Sequence, residues 1–221
     1  MEIAVIGAGG YVGITTATTL AEIGHHVTGV ELSQIKVDTL NQGISPIYEE
    51  GLEELLERVI ADRLTFTTKL PQAVQESEII FITVGTPEGK GGAANLIAFW
   101  EVIESLAEIT VTTLKIVVIK STVPPGTNRQ AQLFLREHGF PCAIISNPEF
   151  LREGQALADA HKPDRIVIGA RQEDAAAIEK MKELYQPFVR TGRPLLVVRP
   201  ESAELGKLAT NFHLATRISV M

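Results

Sequence analysis

The strongest constraint on the fold is a regular alternation, along the chain, of short apolar runs and longer amphipathic stretches. The apolar runs are strand candidates at Ile3–Ile6, His26–Glu31, Ile79–Val84, Lys115–Ile119, Ala143–Ser146, Arg165–Ile168 and Leu195–Val198. Helical patterns lie between them, at Val12–Ile23, Gln34–Asn41, Leu52–Ala61, Leu96–Ile109, Asn128–Glu137 and Glu173–Tyr185. Near-continuous apolar strands that alternate with helices are typical of a parallel sheet covered on both faces. Because crossovers between parallel strands are right-handed, the sequence predicts an α/β fold with a doubly wound, mostly parallel sheet.

Composition narrows the class of partner. The chain has 221 residues, of which 45% are hydrophobic and 21% charged, enough apolar residues for a sizeable core. The net charge of −7 argues against nucleic acid or an anionic membrane as the main partner. The sequence has neither a secretory leader pattern nor a run of about 20 apolar residues. We therefore expect no membrane association and a cytoplasmic location.

The single cysteine, Cys142, cannot form an internal disulfide, which fits a reducing compartment. It stands beside the apolar run Ala143–Ile145, and none of its neighbours in sequence would activate a thiol. Free cysteines are among the most buried residues, so we expect Cys142 to be a core residue rather than a nucleophile. No metal site is predicted.

The pattern changes at about Pro200, where apolar and polar residues mix at helical spacing. We expect residues 1–199 to form one domain and residues 200–221 to begin a long central helix. The sequence stops at Met221 without the glycine or the polar tail that usually ends a helix. This suggests that the chain is part of a larger protein.

A glycine loop joins the first strand to the first helix, with the sequence GAGGYVG from Gly7 to Gly13. Such a loop lets the backbone approach a pyrophosphate, which the helix N-terminus then binds. Eighteen residues after Gly13 comes Glu31, placed to accept hydrogen bonds from the adenosine ribose and to repel a 2′-phosphate. Val12 stands where the strict G-x-G-x-x-G pattern needs its third glycine, so the loop is one residue longer. The context predicts a Rossmann-like domain that binds NAD rather than NADP.

Three further segments follow strands and carry polar groups. They are Thr83–Pro87, Lys120–Thr127 and the octapeptide Asn147–Gly154, which reads NPEFLREG. Ligands bind at the carboxyl ends of strands in open α/β sheets, although each segment alone is also compatible with ordinary turn chemistry. The proline and the glycine of the octapeptide predict a loop, or a turn that leads into a helix.

Taken in order, these motifs resemble one family closely, the UDP-glucose/GDP-mannose dehydrogenases. Besides the glycine loop and the octapeptide, the matching pieces are SPIYE at 45–49 with Gly51 and Leu52, VGTP at 84–87, STVP at 121–124 with Gly126 and Thr127, PDRIVIG at 163–169, and ELGKLA at 204–209 with Asn211, Leu214, Ala215 and Arg217–Ser219. The resemblance covers the whole chain and is greatest for the branch that acts on UDP-glucose. Two small departures are Glu50, where a proline is usual, and Asn95, where aspartate is usual.

The resemblance implies oxidation of a nucleotide sugar at C6 to the carboxylate, with two NAD and one water, through a thioester on a cysteine. It implies that NAD is bound by the residues Gly7, Gly9, Gly10, Tyr11, Val12, Gly13, Glu31, Lys36, Thr86, Thr122 and Glu153. It implies substrate contacts from Glu149, Phe150, Leu151, Arg152, Glu153, Lys207 and Asn211.

The catalytic residues that the resemblance implies are Glu149, Lys207, Asn211 and Thr122. Glu149 would be the general base for thioester hydrolysis, and Lys207 and Asn211 would flank the reacting oxygen. The physical chemistry agrees, because residues four apart share one face of a helix and a cation with an amide can stabilise a developing oxyanion.

The family's nucleophilic cysteine belongs to a second, UDP-binding domain that follows the central helix and is absent from this sequence. We therefore expect this chain alone to bind NAD without completing the oxidation, and the intact protein to be a homodimer through the central helix. One alternative is a branch of the family that acts on GDP-mannose or a UDP-N-acetylhexosamine. Another is a non-catalytic nucleotide-binding or assembly module.

Overall fold

A computed structural model describes residues 1–60, 62–189 and 192–220. Within them, one eight-stranded sheet has the strand order β3-β2-β1-β4-β5-β6-β7-β8. The strands are β1 Glu2–Ile6, β2 His26–Val30, β3 Leu64–Thr67, β4 Ile79–Ile82, β5 Lys115–Ile119, β6 Cys142–Ser146, β7 Ile166–Gly169 and β8 Leu195–Val198. Neighbouring strands are parallel except β6 and β7, which meet as an antiparallel pair at Ser146 and Gly169. The predicted α/β fold with a doubly wound, mostly parallel sheet is confirmed.

The helices connect the strands and cover both faces. They are α1 Tyr11–Glu22, α2 Gln34–Asn41, α3 Leu52–Val59, α4 Leu70–Glu76, α5 Ile97–Ala107, α6 Thr127–Glu137, α7 Ala156–His161, α8 Ala175–Val189 and α9 Pro200–Val220. Short 3-10 turns occupy Lys90–Gly92 and Gln172–Asp174. The end of the helix predicted over Leu52–Ala61 lies outside the described residues at Ala61, as does Met221.

Alternate residues of the central strands enter two separate cores. Ile116 and Val118 of β5 pack in one core with α1, α3 and α8, whereas Val117 and Ile119 pack in the other with α5 and α6. Side chains of a strand alternate between faces, so a continuous apolar run fills both layers. Cys142 is 4% exposed in the second core, where burial raises the pKa of its thiol to about 12, and its predicted place in the core is confirmed.

The long helix α9 crosses β7 and stabilises a second helix. It packs closely on the sheet at Gly169, where an added Cβ would stand 2.6 Å from that of Ala203. Glu204, 3% exposed, accepts hydrogen bonds from the Gly126 amide (2.6 Å) and the Asn128 amide (2.8 Å) at the start of α6. A carboxylate there satisfies amides that have no partner within the helix.

Beyond Lys207 most side chains of α9 are exposed to solvent. Every described residue from 211 to 220 is exposed. No helix in the described part of the chain is long and apolar enough to cross a membrane.

Candidate functional site

The glycine loop forms a tight turn between β1 and α1. Gly7 has φ +85°, its carbonyl accepts from the Gly10 amide (3.0 Å), and its own amide donates to Val30 (2.9 Å). A Cβ at Gly13 would stand 2.2 Å from the Gly7 oxygen, so a side chain there would separate the helix from the loop. The first-turn amides of α1, from Tyr11 to Gly13, have no acceptor within the helix and can bind an anion. Gly10 precedes the helix in extended conformation.

Glu31 follows β2 directly and faces the glycine loop. One carboxylate oxygen accepts from the Gly9 amide (3.1 Å), and the other accepts from the amides of Leu32 (3.1 Å) and Ser33 (3.3 Å). The Lys36 ammonium, on an exposed side chain of α2, lies 4.0 Å from Glu31. A Cβ at Gly9 would stand 2.4 Å from the Glu31 carboxylate, so only glycine keeps this space open. The loop, the acidic residue and the helix N-terminus together fit a dinucleotide with free ribose hydroxyls.

Two predicted turn segments are joined where β4 and β5 end. The Thr86 hydroxyl donates to the Thr122 carbonyl (2.8 Å), and the Ser121 hydroxyl donates to the Val84 carbonyl (2.7 Å). Thr86 and Thr122 are both partly exposed. Both lie at the same edge of the sheet as the glycine loop, where open α/β sheets bind ligands.

The octapeptide is a loop that ends in a turn before α7, as predicted. Its Glu149 carboxylate accepts from the Lys207 ammonium of α9 (2.7 Å) and from the Leu151 amide (2.6 Å). The side chains of Glu149 and Lys207 are 13% and 8% exposed, so this is a nearly buried ion pair. The structure thus brings together two residues that are 58 positions apart and were both predicted to be catalytic.

Asn211, predicted to act with Lys207, lies one turn further along α9 and is exposed. The Arg165 guanidinium lies 4.1 Å and the Lys207 ammonium 5.5 Å from the centroid of the Phe150 ring. Cations over an aromatic face hold its orientation.

Sequence reasoning missed Lys120, which lies beside this ion pair. Its ammonium donates to the Asn147 side chain (3.4 Å), and Asn147 in turn donates to the Val167 carbonyl (2.8 Å). Burial lowers the pKa of Lys120 to about 8, with nearby Glu149 raising it and Lys207 lowering it further. Lys120 lines a pocket of about 90 Å³, partly open to solvent, together with the octapeptide, α1 and α8. Its place at the start of the segment Lys120–Thr127, directly after β5, was an available signal.

The remaining octapeptide residues face the glycine loop and α7. The Arg152 guanidinium pairs with Asp159 (2.6 Å and 3.0 Å) and lowers the pKa of that carboxyl by hydrogen bonding. Glu153 is exposed, and its charge helps to raise the pKa of the Tyr11 hydroxyl, after the larger effects of burial and Glu49.

Glu49 was part of the resemblance, but no role was predicted for it. Its side chain is buried and accepts hydrogen bonds from Tyr11, Gly154 and Ala156. It therefore joins the glycine loop to the octapeptide.

Comparison with known proteins agrees with this geometry. Residues 1–189 match the model of the UDP-glucose/GDP-mannose dehydrogenase family, NAD binding domain. The chain belongs to this family. As a member of this family it carries the family's NAD-binding domain, with NAD as cofactor. A UDP-glucose 6-dehydrogenase of Bacillus subtilis is 44% identical over 99% of the chain, and one of Pseudomonas aeruginosa is 42% identical over all of it. The chain covers 49% of each, so it spans about half the length of these relatives.

Solved structures of family members have the same fold. A ternary complex of a GDP-mannose dehydrogenase from Pseudomonas aeruginosa has a TM-score of 0.90 and 34% identity, and covers 100% of this chain and 51% of its own. A UDP-glucose dehydrogenase from Pyrobaculum islandicum also has a TM-score of 0.90, with 39% identity, and covers 99% of this chain and 50% of its own.

Proposed function

We propose that this chain is the NAD-binding half of a nucleotide-sugar 6-dehydrogenase whose substrate is UDP-glucose. The observation that carries the proposal is the nearly buried pair of Glu149 and Lys207, where Glu149 belongs to a segment that contacts Tyr11 of the glycine loop. The identity of 42–44% to UDP-glucose 6-dehydrogenases over the whole chain favours UDP-glucose. Residues 1–199 would form the cofactor domain, and residues 200–221 would begin the central helix.

On the cofactor side, the amides of the glycine loop would bind the pyrophosphate, and Glu31 would bind the ribose. NAD, when bound, supplies the hydride acceptor. Lys36, Thr86, Thr122 and Glu153 would complete the cofactor contacts toward the ribose and nicotinamide. This assignment is supported by the glycine positions, since a methyl group at Gly9 or Gly13 would collide with Glu31 or with the loop itself.

On the substrate side, Glu149 would act as general base toward a water, while Lys207 holds its carboxylate in place through the 2.7 Å contact. Lys207 and Asn211 would stabilise charge on the reacting oxygen. Phe150, Leu151, Arg152 and Glu153 would line the substrate.

The proposal has two further parts. The intact protein would be a homodimer that acts in the cytoplasm and would contact its partner through α9. The exposed apolar side chains of this helix support the dimer, among them Leu205 (57%), Phe212 (74%) and Ile218 (77%). Sedimentation of the intact protein with Phe212→Glu should show loss of the dimer.

The experiment that tests the proposal is an NADH assay with a panel of nucleotide sugars. The intact protein should reduce NAD with UDP-glucose, and Glu149→Gln should abolish steady turnover. The 221-residue chain alone should bind NAD and form no NADH. Steady NADH formation from UDP-glucose by the chain alone would refute the proposed division of labour.

A second candidate substrate is GDP-mannose, because a GDP-mannose dehydrogenase shares the fold with a TM-score of 0.90, equal to that of the UDP-glucose dehydrogenase. A UDP-N-acetylhexosamine is the third member of the panel. Turnover with GDP-mannose but not with UDP-glucose would replace the first assignment and leave the cofactor assignment unchanged.

A further inference from the structure

Glu49 occupies an unusual position, because a buried carboxylate stands between two segments that bind different ligands in the proposed function. It lies in the connection between α2 and α3 and is 5% exposed. One oxygen accepts from the Tyr11 hydroxyl and from the Gly154 amide (2.6 Å), and the other accepts from the Ala156 amide (2.9 Å). Buried carboxylates are costly unless they are hydrogen-bonded, and Glu49 is hydrogen-bonded by donors from both segments.

The two ends of this connection are functional elements. Tyr11 is the first residue of α1, among the amides that would bind the pyrophosphate. Gly154 is the last residue of the octapeptide, and Ala156 begins α7. Glu49 therefore fixes the end of the substrate segment by two backbone amides and the glycine loop by one side chain.

Tyr11 strengthens the connection through a second contact. Its hydroxyl oxygen also lies 3.0 Å from the carbonyl oxygen of Arg152. A tyrosine hydroxyl carries one proton, so it donates to either Glu49 or Arg152 at a given moment. Both acceptors belong to the same small network, and a displacement of Tyr11 must alter the surroundings of residues 152–156.

We propose that Glu49 is a positioning residue that couples the glycine loop to the octapeptide, so that a dinucleotide bound at the loop orders the substrate segment. The proposal rests on the proposed function, since it needs NAD at the glycine loop. A bound pyrophosphate fixes the first turn of α1 and hence Tyr11. Through Glu49, the amides of Gly154 and Ala156 then lose freedom, which lowers the cost of ordering the segment when the sugar nucleotide binds.

The test is amide hydrogen exchange of residues 150–157, measured on the 221-residue chain with and without saturating NAD. In the wild type, NAD should slow exchange in this segment by roughly 5-fold or more. With Glu49→Ala, which changes none of the residues proposed to bind NAD, NAD should still bind while this slowing is lost. Glu50→Ala is the matched control, because it removes the neighbouring carboxylate, which is exposed, and it should keep the slowing.

Glu49→Gln provides a second, more conservative variant at the same position. Its amide group faces the Gly154 and Ala156 donors with one acceptor fewer, so the segment should exchange faster without NAD and respond to NAD less. Titration calorimetry on the wild type and on each variant measures NAD binding separately from its effect on the octapeptide. Absence of NAD binding by the wild type would overturn the proposed function itself. Saturable NAD binding without slowing in the wild type, or slowing that persists in both variants, would overturn the coupling alone.

Discussion

At the scale of single residues, the ion pair of Glu149 and Lys207 leads to the clearest prediction about the stability of the fold. Lys207→Met should destabilise the fold by about 3 kcal/mol, because it leaves the Glu149 carboxylate nearly buried without its cation. Urea unfolding measures the loss. The double variant Lys207→Met with Glu149→Gln should recover most of it. A single variant as stable as the wild type would show that the pair is solvated.

Lys120 predicts a pH dependence, since its pKa is about 8 instead of the usual 10.5. Between these pH values the unfolded chain binds more protons than the folded chain, so the Lys120 contribution to stability rises with pH. Compared with Lys120→Met, the wild type should gain about 3 kcal/mol of unfolding free energy across this window. Below pH 8 the difference in unfolding free energy between the wild type and Lys120→Met should stay constant. Urea unfolding at a series of pH values measures it, and a difference independent of pH would contradict the assignment.

The glycine loop offers a comparison between adjacent residues. Gly9→Ala should weaken NAD binding roughly tenfold, because its Cβ would stand 2.4 Å from the Glu31 carboxylate and displace it. Gly10→Ala should change it little, since the nearest atom is 3.4 Å away and its φ is −91°. Calorimetric titration compares the two variants. An equal loss in both would mean that the space beside Glu31 does not decide binding.

The same scale limits what a sequence can predict. Glu149 and Lys207 were expected in one site through a resemblance, although only folding brings residues 58 positions apart to 2.7 Å. Lys120 and Glu49 were not singled out, because their roles come from burial and from partners on other elements. A charged residue that is contacted by several elements in the fold has no local sequence pattern that distinguishes it from an exposed charged residue.

At the scale of elements, long apolar strands and amphipathic helices were predicted well, and short or partly polar elements were missed. The strand β3 alternates buried and exposed residues over Leu64–Thr67 at the sheet edge, so its apolar signal is weak. The helices α4 and α7 have seven and six residues, too short for a clear helical period. The helix α8 begins later than predicted, after a 3-10 turn, and continues through Pro187.

The contact between α9 and α6 is also an element-scale feature. Glu204→Ala should destabilise the fold by about 1–2 kcal/mol, because the Gly126 and Asn128 amides lose a buried acceptor. Glu201→Ala, three residues earlier on α9 and exposed, is the matched control and should be neutral. Thermal unfolding measures both. Equal, small effects would indicate that water replaces the carboxylate.

At the scale of the whole molecule, one edge of the sheet collects the glycine loop, the β4 and β5 turns and the octapeptide. This arrangement follows from the parallel order of β1, β4, β5 and β6, whose carboxyl ends share that edge. The alternation in the sequence was sufficient to predict it. The antiparallel pairing of β7 with β6 was not predicted, because hydrophobic periodicity does not indicate the direction of a strand.

Calorimetric titration of the folded 221-residue chain with NAD and with NADP is the most direct test of the proposed dinucleotide site. One saturable site with tighter binding of NAD is expected, because the Glu31 carboxylate would repel a 2′-phosphate. With Glu31→Ser the preference for NAD should shrink. A folded chain that binds neither dinucleotide, or that binds NADP as tightly as NAD, would contradict the account.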